Sequence, residues 1–155
     1  MDAPRVTELI EYEVRIAARP ETVFAYFTDP ARMVEWMGTE ATLDPRPGGV
    51  CRIDVTGDAV MIGEFVEVET PHRLVLSWGW ERAWFETPRR STVVEVSFTP
   101  DGEDTILRLS HGRLPAVAVD FHRNGWEHYL ERLAEVASGA DPGPDPWRRS
   151  ERDLR

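Results

Sequence analysis

From residue 10 to residue 16 the chain reads I-E-Y-E-V-R-I, apolar and polar in strict alternation, the period of a strand with one face buried and one in water. Pro20 then opens a short helix, because proline suits the first helical position, and Val23, Phe24 and Phe27 fall on one side of it. Asp29 is placed to cap a second short helix starting at Pro30, with Met33, Trp36 and Met37 on its inner side and Gly38 as its end. Pro45, Pro47, Gly48 and Gly49 break the chain ahead of five short strands, at 50–55, 60–69, 73–80, 91–99 and 105–111. Turn residues at Thr70-Pro71-His72 and Pro100-Asp101-Gly102 join neighbours into an antiparallel meander. The last element is one long helix, Pro115 to Ser138, whose residues His122, Trp126, Tyr129, Leu130, Leu133 and Ala137 form a single stripe that Gly139 stops.

This order predicts an α+β domain. A bent antiparallel sheet and a long amphipathic helix each expose an apolar face when alone, so the helix lies across the concave face of the sheet. Where a straight helix and a curved sheet diverge, the gap is either packed with large side chains or left as a pocket. Alternation aims Leu74, Leu76, Trp78 and Trp80 at the helix, with Val94, Val96 and Phe98 on the next strand. Leu107, Leu109 and His111 follow on the last strand, and Cys51, Ile53 and Val55 on an earlier one. Over 60–69 both faces are apolar, Val60, Ile62, Val66 and Val68 against Met61 and Phe65, and the first register turns Glu64 inward. The expected boundaries are an N-terminal tail over 1–8, the ligand-binding domain over 9–139, and a Pro-rich, charged C-terminal tail over 140–155 with Trp147 tucked down.

At 155 residues the chain suits one domain that buries a core without disulfides. A formal net charge of −10 argues against nucleic acid and anionic membrane surfaces as partners, since both reward basic faces. No apolar run is long enough for membrane insertion, and residues 1–8 lack the pattern of a secretory signal. A cytoplasmic location is therefore expected. Cys51 is the only cysteine, so neither an internal disulfide nor a multi-cysteine zinc site can form. The chain shows no H-E-x-x-H pair, no G-x-S-x-G elbow and no phosphate-cradling loop with a lysine, so no metal and no cofactor is expected.

Several of these segments resemble a known family. They are Pro20-Glu21-Thr22-Val23-Phe24, Asp29-Pro30 through Trp36, and Pro47-Gly48-Gly49 before a strand, then Gly63 to Pro71 followed by Arg73-Leu74. G-W-E-H-Y-L-E-R-L at 125–133 and D-P-G-P-D-P-W at 141–147 complete the set. Together, over residues 8–148, they are similar to homologues of the heat-shock-protein-90 ATPase activator C-terminal domain, within the SRPBCC superfamily of lipid-transfer, pollen-allergen and polyketide-cyclase domains. The resemblance implies the helix-grip (START-like, Bet v-like) fold, a curved antiparallel sheet of six to seven strands wrapped around a long C-terminal helix. It implies a fold more than an activity, because one scaffold hosts binding, cyclisation and co-chaperone roles. It also implies a homodimer and a chaperone as candidate partners.

The residues themselves favour a binding protein for a small apolar, lipid- or polyketide-like ligand. The candidate ligand-binding residues are Trp36, Cys51, Ile53, Trp78, Trp80, Trp84, Phe85, Val96, Phe98, His111, His122, Trp126 and Tyr129. Large rings offer stacking surface, and Trp84-Phe85 lies in a loop that could cover a cavity mouth. An enzyme of the cyclase or dehydratase kind is the alternative. There His111 or His122, titrating near neutrality, would move a proton, with Glu64 as a third catalytic candidate pairing with one of them or with Arg52. A stress-response co-chaperone, reading through a surface patch, is the third possibility. Each of these residues also has a plain structural role open to it, as core packing, a satisfied histidine or a solvated rim charge.

Overall fold

The computed structural model describes residues 7–148. Seven strands form one antiparallel sheet in the order β1-β7-β6-β5-β4-β3-β2: β1 (Thr7–Ile16), β2 (Glu40–Leu43), β3 (Val50–Asp54), β4 (Val60–Glu69), β5 (Arg73–Trp78), β6 (Thr92–Asp101) and β7 (Asp104–Pro115). From β2 to β7 each strand pairs with its successor, and β1 closes the far edge against β7. Helices α1 (Pro20–Thr28) and α2 (Pro30–Met33) fill the connection between β1 and β2, and α3 (Val119–Ala137) lies across the sheet. This is the helix-grip architecture that the order of elements and the resemblance implied.

Local chemistry accounts for the short helices. Prolines 20 and 30 occupy the first helical positions, and the Asp29 carboxylate accepts from the Ala31 N–H at 3.0 Å, satisfying an orphan donor of α2. The inner faces of α1 and the turn after α2 pack onto the sheet: Phe98 meets Phe24 and Phe27 edge-on at 5.3 and 5.4 Å, and Trp36 lies 5.1 Å from Phe27. The Trp36 indole N–H is satisfied by the Tyr26 carbonyl at 2.9 Å.

The structure corrects several expected boundaries. The final helix does not start at Pro115: β7 continues to that residue, a single 3-10 turn covers Ala116–Ala118, and α3 starts at Val119. The reason is tertiary. Thr7 and Glu8, expected in a tail, extend β1 and pair with Pro115 and Leu114, holding both ends extended. Of the expected turn residues Pro100-Asp101-Gly102, the first two still pair in the β6–β7 ladder and the turn falls on Gly102 and Glu103, where Gly102 adopts a φ of +62° that suits a tight two-residue connection. Strand β5 stops at Trp78, and Gly79 and Trp80 leave the regular ladder, although Trp80 still bridges to Met61 and Pro88. Strand β2 had no sequence counterpart, being four residues at the sheet edge and only half-buried on one face.

Strand β4 uses both registers. Opposite β5, Phe65 pairs with Leu76 and Glu67 with Val75, so Val66 is an extra bulged residue. Before the bulge Met61, Gly63 and Phe65 face the core, and after it Val68 does. Glu64 therefore points outward, where its carboxylate pairs with Arg90 at 2.6 Å. It reaches neither a histidine nor Arg52, and its candidacy as a site residue ends there.

Among the described residues, no helix is long and apolar enough to cross a membrane.

Candidate functional site

At one end of the sheet, α1 and the turn after α2 fill the space under the helix. Trp36, Cys51, Ile53, Val96 and Phe98 lie in this solid part, each buried to within about one per cent, and none of them borders the cavity described next. Burial pushes the Cys51 thiol up to about 12, leaving it protonated and inert. At the other end the sheet curves away from α3 and encloses a cavity of about 460 Å³, in the size range of small-molecule sites.

Helix α3 supplies one wall. Residues 122, 125, 126 and 129 share a face at spacings of three and four, presenting His122, Gly125, Trp126 and Tyr129, with Phe121 and Asn124 beside them. The sheet and its loops supply Trp78, Trp80, Val55, Thr56 and Ala59, and Trp84 and Met37 border the opening. Trp147, from the segment after α3, completes the ring. Five of the chain's six tryptophans therefore face one space. Phe85 lies outside it, 47% exposed and stacked on Phe121 at 4.7 Å.

Two indole–imidazole hydrogen bonds fix the deep wall. The Trp80 N–H donates to His122 Nε2 at 3.0 Å, and the Trp126 N–H donates to His111 Nδ1 at 3.0 Å. An indole nitrogen can only donate, so each receiving ring nitrogen is unprotonated. His122 Nδ1–H then donates to the Ala118 carbonyl at 2.8 Å, because a carbonyl can only accept. His111 Nε2–H donates to Thr92 Oγ1 at 2.7 Å, and that hydroxyl donates to the Trp78 carbonyl at 2.8 Å. Both imidazoles are neutral, each with one fixed tautomer. Burial lowers the pKa of His111 well below the usual histidine range, with His122 adding repulsion from a ring 4.8 Å away. Burial also lowers His122, although its bond to Ala118 opposes the shift. His111 itself sits behind the cavity wall, fully buried and edge-on to Trp78 at 5.7 Å. The N–H of Trp78 is buried with no acceptor among the described residues.

The cavity mouth is made of irregular chain. Ala83, Phe85 and Glu86 all have left-handed φ values, between +51° and +58°, a conformation that costs residues with a side chain and persists only where surroundings impose it. Gly79 makes the loop's base: a Cβ there would lie 1.8 Å from the Pro88 carbonyl oxygen, so only glycine lets the returning strand come this close. On the opposite rim, Asp145 pins the segment after α3. Its carboxylate accepts from the Tyr129 hydroxyl at 2.7 Å, His128 Nε2 at 2.8 Å and the Trp147 N–H at 2.9 Å. Burial alone would raise this carboxyl's pKa, and the three donors outweigh it and hold it below the usual range. Arg132 grips the same segment through the Gly143 carbonyl at 2.9 Å, and Trp147 stacks on His128 at 3.8 Å. Asp145→Ala is expected to lower the unfolding free energy by about 1–2 kcal/mol and to red-shift the tryptophan emission as Trp147 lifts off. Unchanged emission would mean that the stack on His128 suffices.

Of the thirteen predicted ligand-binding residues, the structure gathers Trp78, Trp80, Trp84, His122, Trp126 and Tyr129 around one cavity. Sequence reasoning missed Phe121, Asn124 and Gly125, which helical spacing from His122, Trp126 and Tyr129 could have supplied. Thr56 and Ala59 had no such signal, since loops carry no period, and Met37 was read as facing inward without being assigned to the site.

A curved seven-stranded sheet gripping one long helix around an apolar, aromatic-walled cavity defines a helix-grip domain. Residues 17–138 match the family described as "Activator of Hsp90 ATPase homolog 1-like protein", and the chain belongs to that family. A solved AHSA1-like protein from Rhizobium etli is 45% identical, with 94% of this chain and 92% of that one covered and a TM-score of 0.73. CalU16 from Micromonospora echinospora is 28% identical over 86% of this chain and 78% of its own, at a TM-score of 0.68. An HSP90 activator from Plasmodium falciparum is 27% identical over 84% of this chain and 96% of its own, at a TM-score of 0.71. Among curated proteins, no sequence matches the chain.

Proposed function

We propose that this protein binds a small, largely apolar molecule in the cavity between the sheet and α3. The observation that carries this reading is the concentration of five tryptophans around a space of about 460 Å³ in a fold whose other end is solidly packed. Trp78, Trp80 and Trp126 are nearly buried already, so the further burial that an occupant would bring falls on half-buried Trp84 and on Trp147, which is 45% exposed.

Gly125 supports the same reading. Glycine in a helix interior costs about 1 kcal/mol relative to alanine, and a Cβ at this position would meet no atom within 4 Å. Nothing in the packing of the protein requires the missing side chain, whereas a ligand lying against α3 would. Proton transfer by a cavity histidine is the weaker reading. Both ring nitrogens of His111 and of His122 are already engaged, so either base must first break an indole bond. A chaperone-activating role would act through an exposed surface and would leave the aromatic cavity without a purpose.

Gly125→Phe tests the proposal, because the new ring enters open space and leaves the core intact. The neutral fluorescent probe N-phenyl-1-naphthylamine is expected to bind the wild-type protein and raise its Tm. Its affinity for Gly125→Phe should fall at least about tenfold, or 1.4 kcal/mol, with the variant's own Tm unchanged or higher. Equal binding to both proteins would place the probe elsewhere and sink the assignment.

A further inference from the structure

We infer that the occupant of this cavity is a planar fused-ring molecule that carries no anionic group and presents a hydroxyl or carbonyl to the polar side chains of the lining. The inference rests on the binding reading above and deepens it.

The lining decides the charge. Among the described residues, no arginine, aspartate or glutamate borders the cavity. Two charged groups beside the segment after α3 are already committed, Asp145 to Tyr129, His128 and the Trp147 N–H, and Arg132 to backbone carbonyls. A carboxylate entering here would lose its water, gain no counter-ion and meet the electron-rich faces of the indoles, the costliest way to bury a polar group. That disfavours fatty acids and other carboxylates. His122 cannot rescue an anion, because protonating its Nε2 requires breaking the bond from Trp80.

The shape of the lining decides the rest. Trp78 and Trp126 stand 5.0 Å apart at 46°, Trp80 and Trp84 5.8 Å apart at 39°, so the walls are rigid ring faces and edges rather than adaptable aliphatic chains. Such surfaces reward another rigid ring by offset or edge-on contact. A flexible alkyl chain would lose its rotational freedom without that gain. The hydroxyl or carbonyl follows from two side chains that border the cavity, Thr56 half-buried and Asn124 exposed on α3. Neither makes a side-chain hydrogen bond among the described residues, and together they offer both donors and acceptors.

The test uses matched probes that compete with N-phenyl-1-naphthylamine, with energy transfer from the tryptophans as a second readout. 1-Hydroxypyrene is expected to bind at least about tenfold more tightly than 1-pyrenecarboxylate and than 1-decanol. Asn124→Ala, an exposed helix position that does not threaten folding, should weaken 1-hydroxypyrene several-fold and leave unsubstituted pyrene unchanged. Equal affinity for the carboxylate, or for decanol, overturns the ligand class while leaving a binding cavity. Equal loss of pyrene and hydroxypyrene in Asn124→Ala overturns the polar contact. If none of these compounds binds, and neither does N-phenyl-1-naphthylamine, the binding reading itself falls.

Discussion

Lowering the pH from 7 to 5 is expected to reduce the unfolding free energy, with His111, whose pKa is lowered furthest, contributing most. The cause is the pair of neutral imidazoles behind the cavity wall. In the unfolded chain a histidine takes up a proton near pH 6.5. In the folded protein both pKa values are depressed, by burial first and, for His111, by its neighbour His122. Below about pH 6.5 the unfolded state therefore binds more protons than the native state. Stability that is fully present above that value is lost as the pH falls toward the depressed folded values, by up to about 1.4 kcal/mol per pH unit for each histidine.

The groups that face the two rings offer no relief. Around His111 stand Thr92, Trp78, Trp126 and His122, and around His122 stand Trp80, Phe121, His111 and the Ala118 carbonyl. Among the described residues, no carboxylate is hydrogen-bonded to either imidazole. Protonation would turn each accepting nitrogen into a donor aimed at an indole N–H. Since whole domains are stable by only about 5–15 kcal/mol, the protein should be much easier to unfold at pH 5. Urea unfolding measured at half-unit pH steps gives the result directly, and a midpoint that stays level from pH 7 to pH 5 would contradict the assigned protonation states.

Phe98→Ala is expected to destabilise the protein by about 3–5 kcal/mol, whereas Trp84→Ala should cost about 1 kcal/mol or less. Both residues were candidates for the same ligand site, and the structure separates them. Phe98 is wedged between Phe24 and Phe27 at the packed end, so its removal opens a void that neighbouring helices cannot collapse. Trp84 is half-buried on the cavity mouth, touching Trp80 across 5.8 Å. Binding of N-phenyl-1-naphthylamine should respond in the opposite order. It should weaken several-fold in Trp84→Ala and hold in Phe98→Ala under conditions where that variant remains folded. Denaturant unfolding and probe titration of the same two variants settle the matter, and a parallel loss of stability and binding in both would show that the two ends of the core are not separable.

The fold was largely legible because its signals are local. Alternation in I-E-Y-E-V-R-I marked β1, the helical stripe from His122 to Leu133 marked α3, and Asp29-Pro30 marked the start of α2. Where reading failed, the deciding contact was distant in sequence. β7 runs on to Pro115 because Thr7 and Glu8 pair with its end, more than a hundred residues away. The ambiguous faces of 60–69 resolved only through the bulge at Val66, which changes the register within one strand.

The site shows the same division more sharply. Alternation and helical spacing fixed which side chains turn inward, and so the sequence by itself determined that Trp78, Trp80, His111, His122 and Trp126 share the space under the helix. It could not say which inward residues are packed and which border a void, since that depends on how far a curved sheet departs from a straight helix. Phe98 and Trp78 both face inward, yet α1 packs over one and the cavity borders the other. Only the tertiary structure decided that, and with it the protonation of the two histidines, because a tautomer is set by whichever partner the fold brings to the ring. Burial direction is a property of local period, and emptiness and hydrogen-bond pairing are properties of the assembled shape.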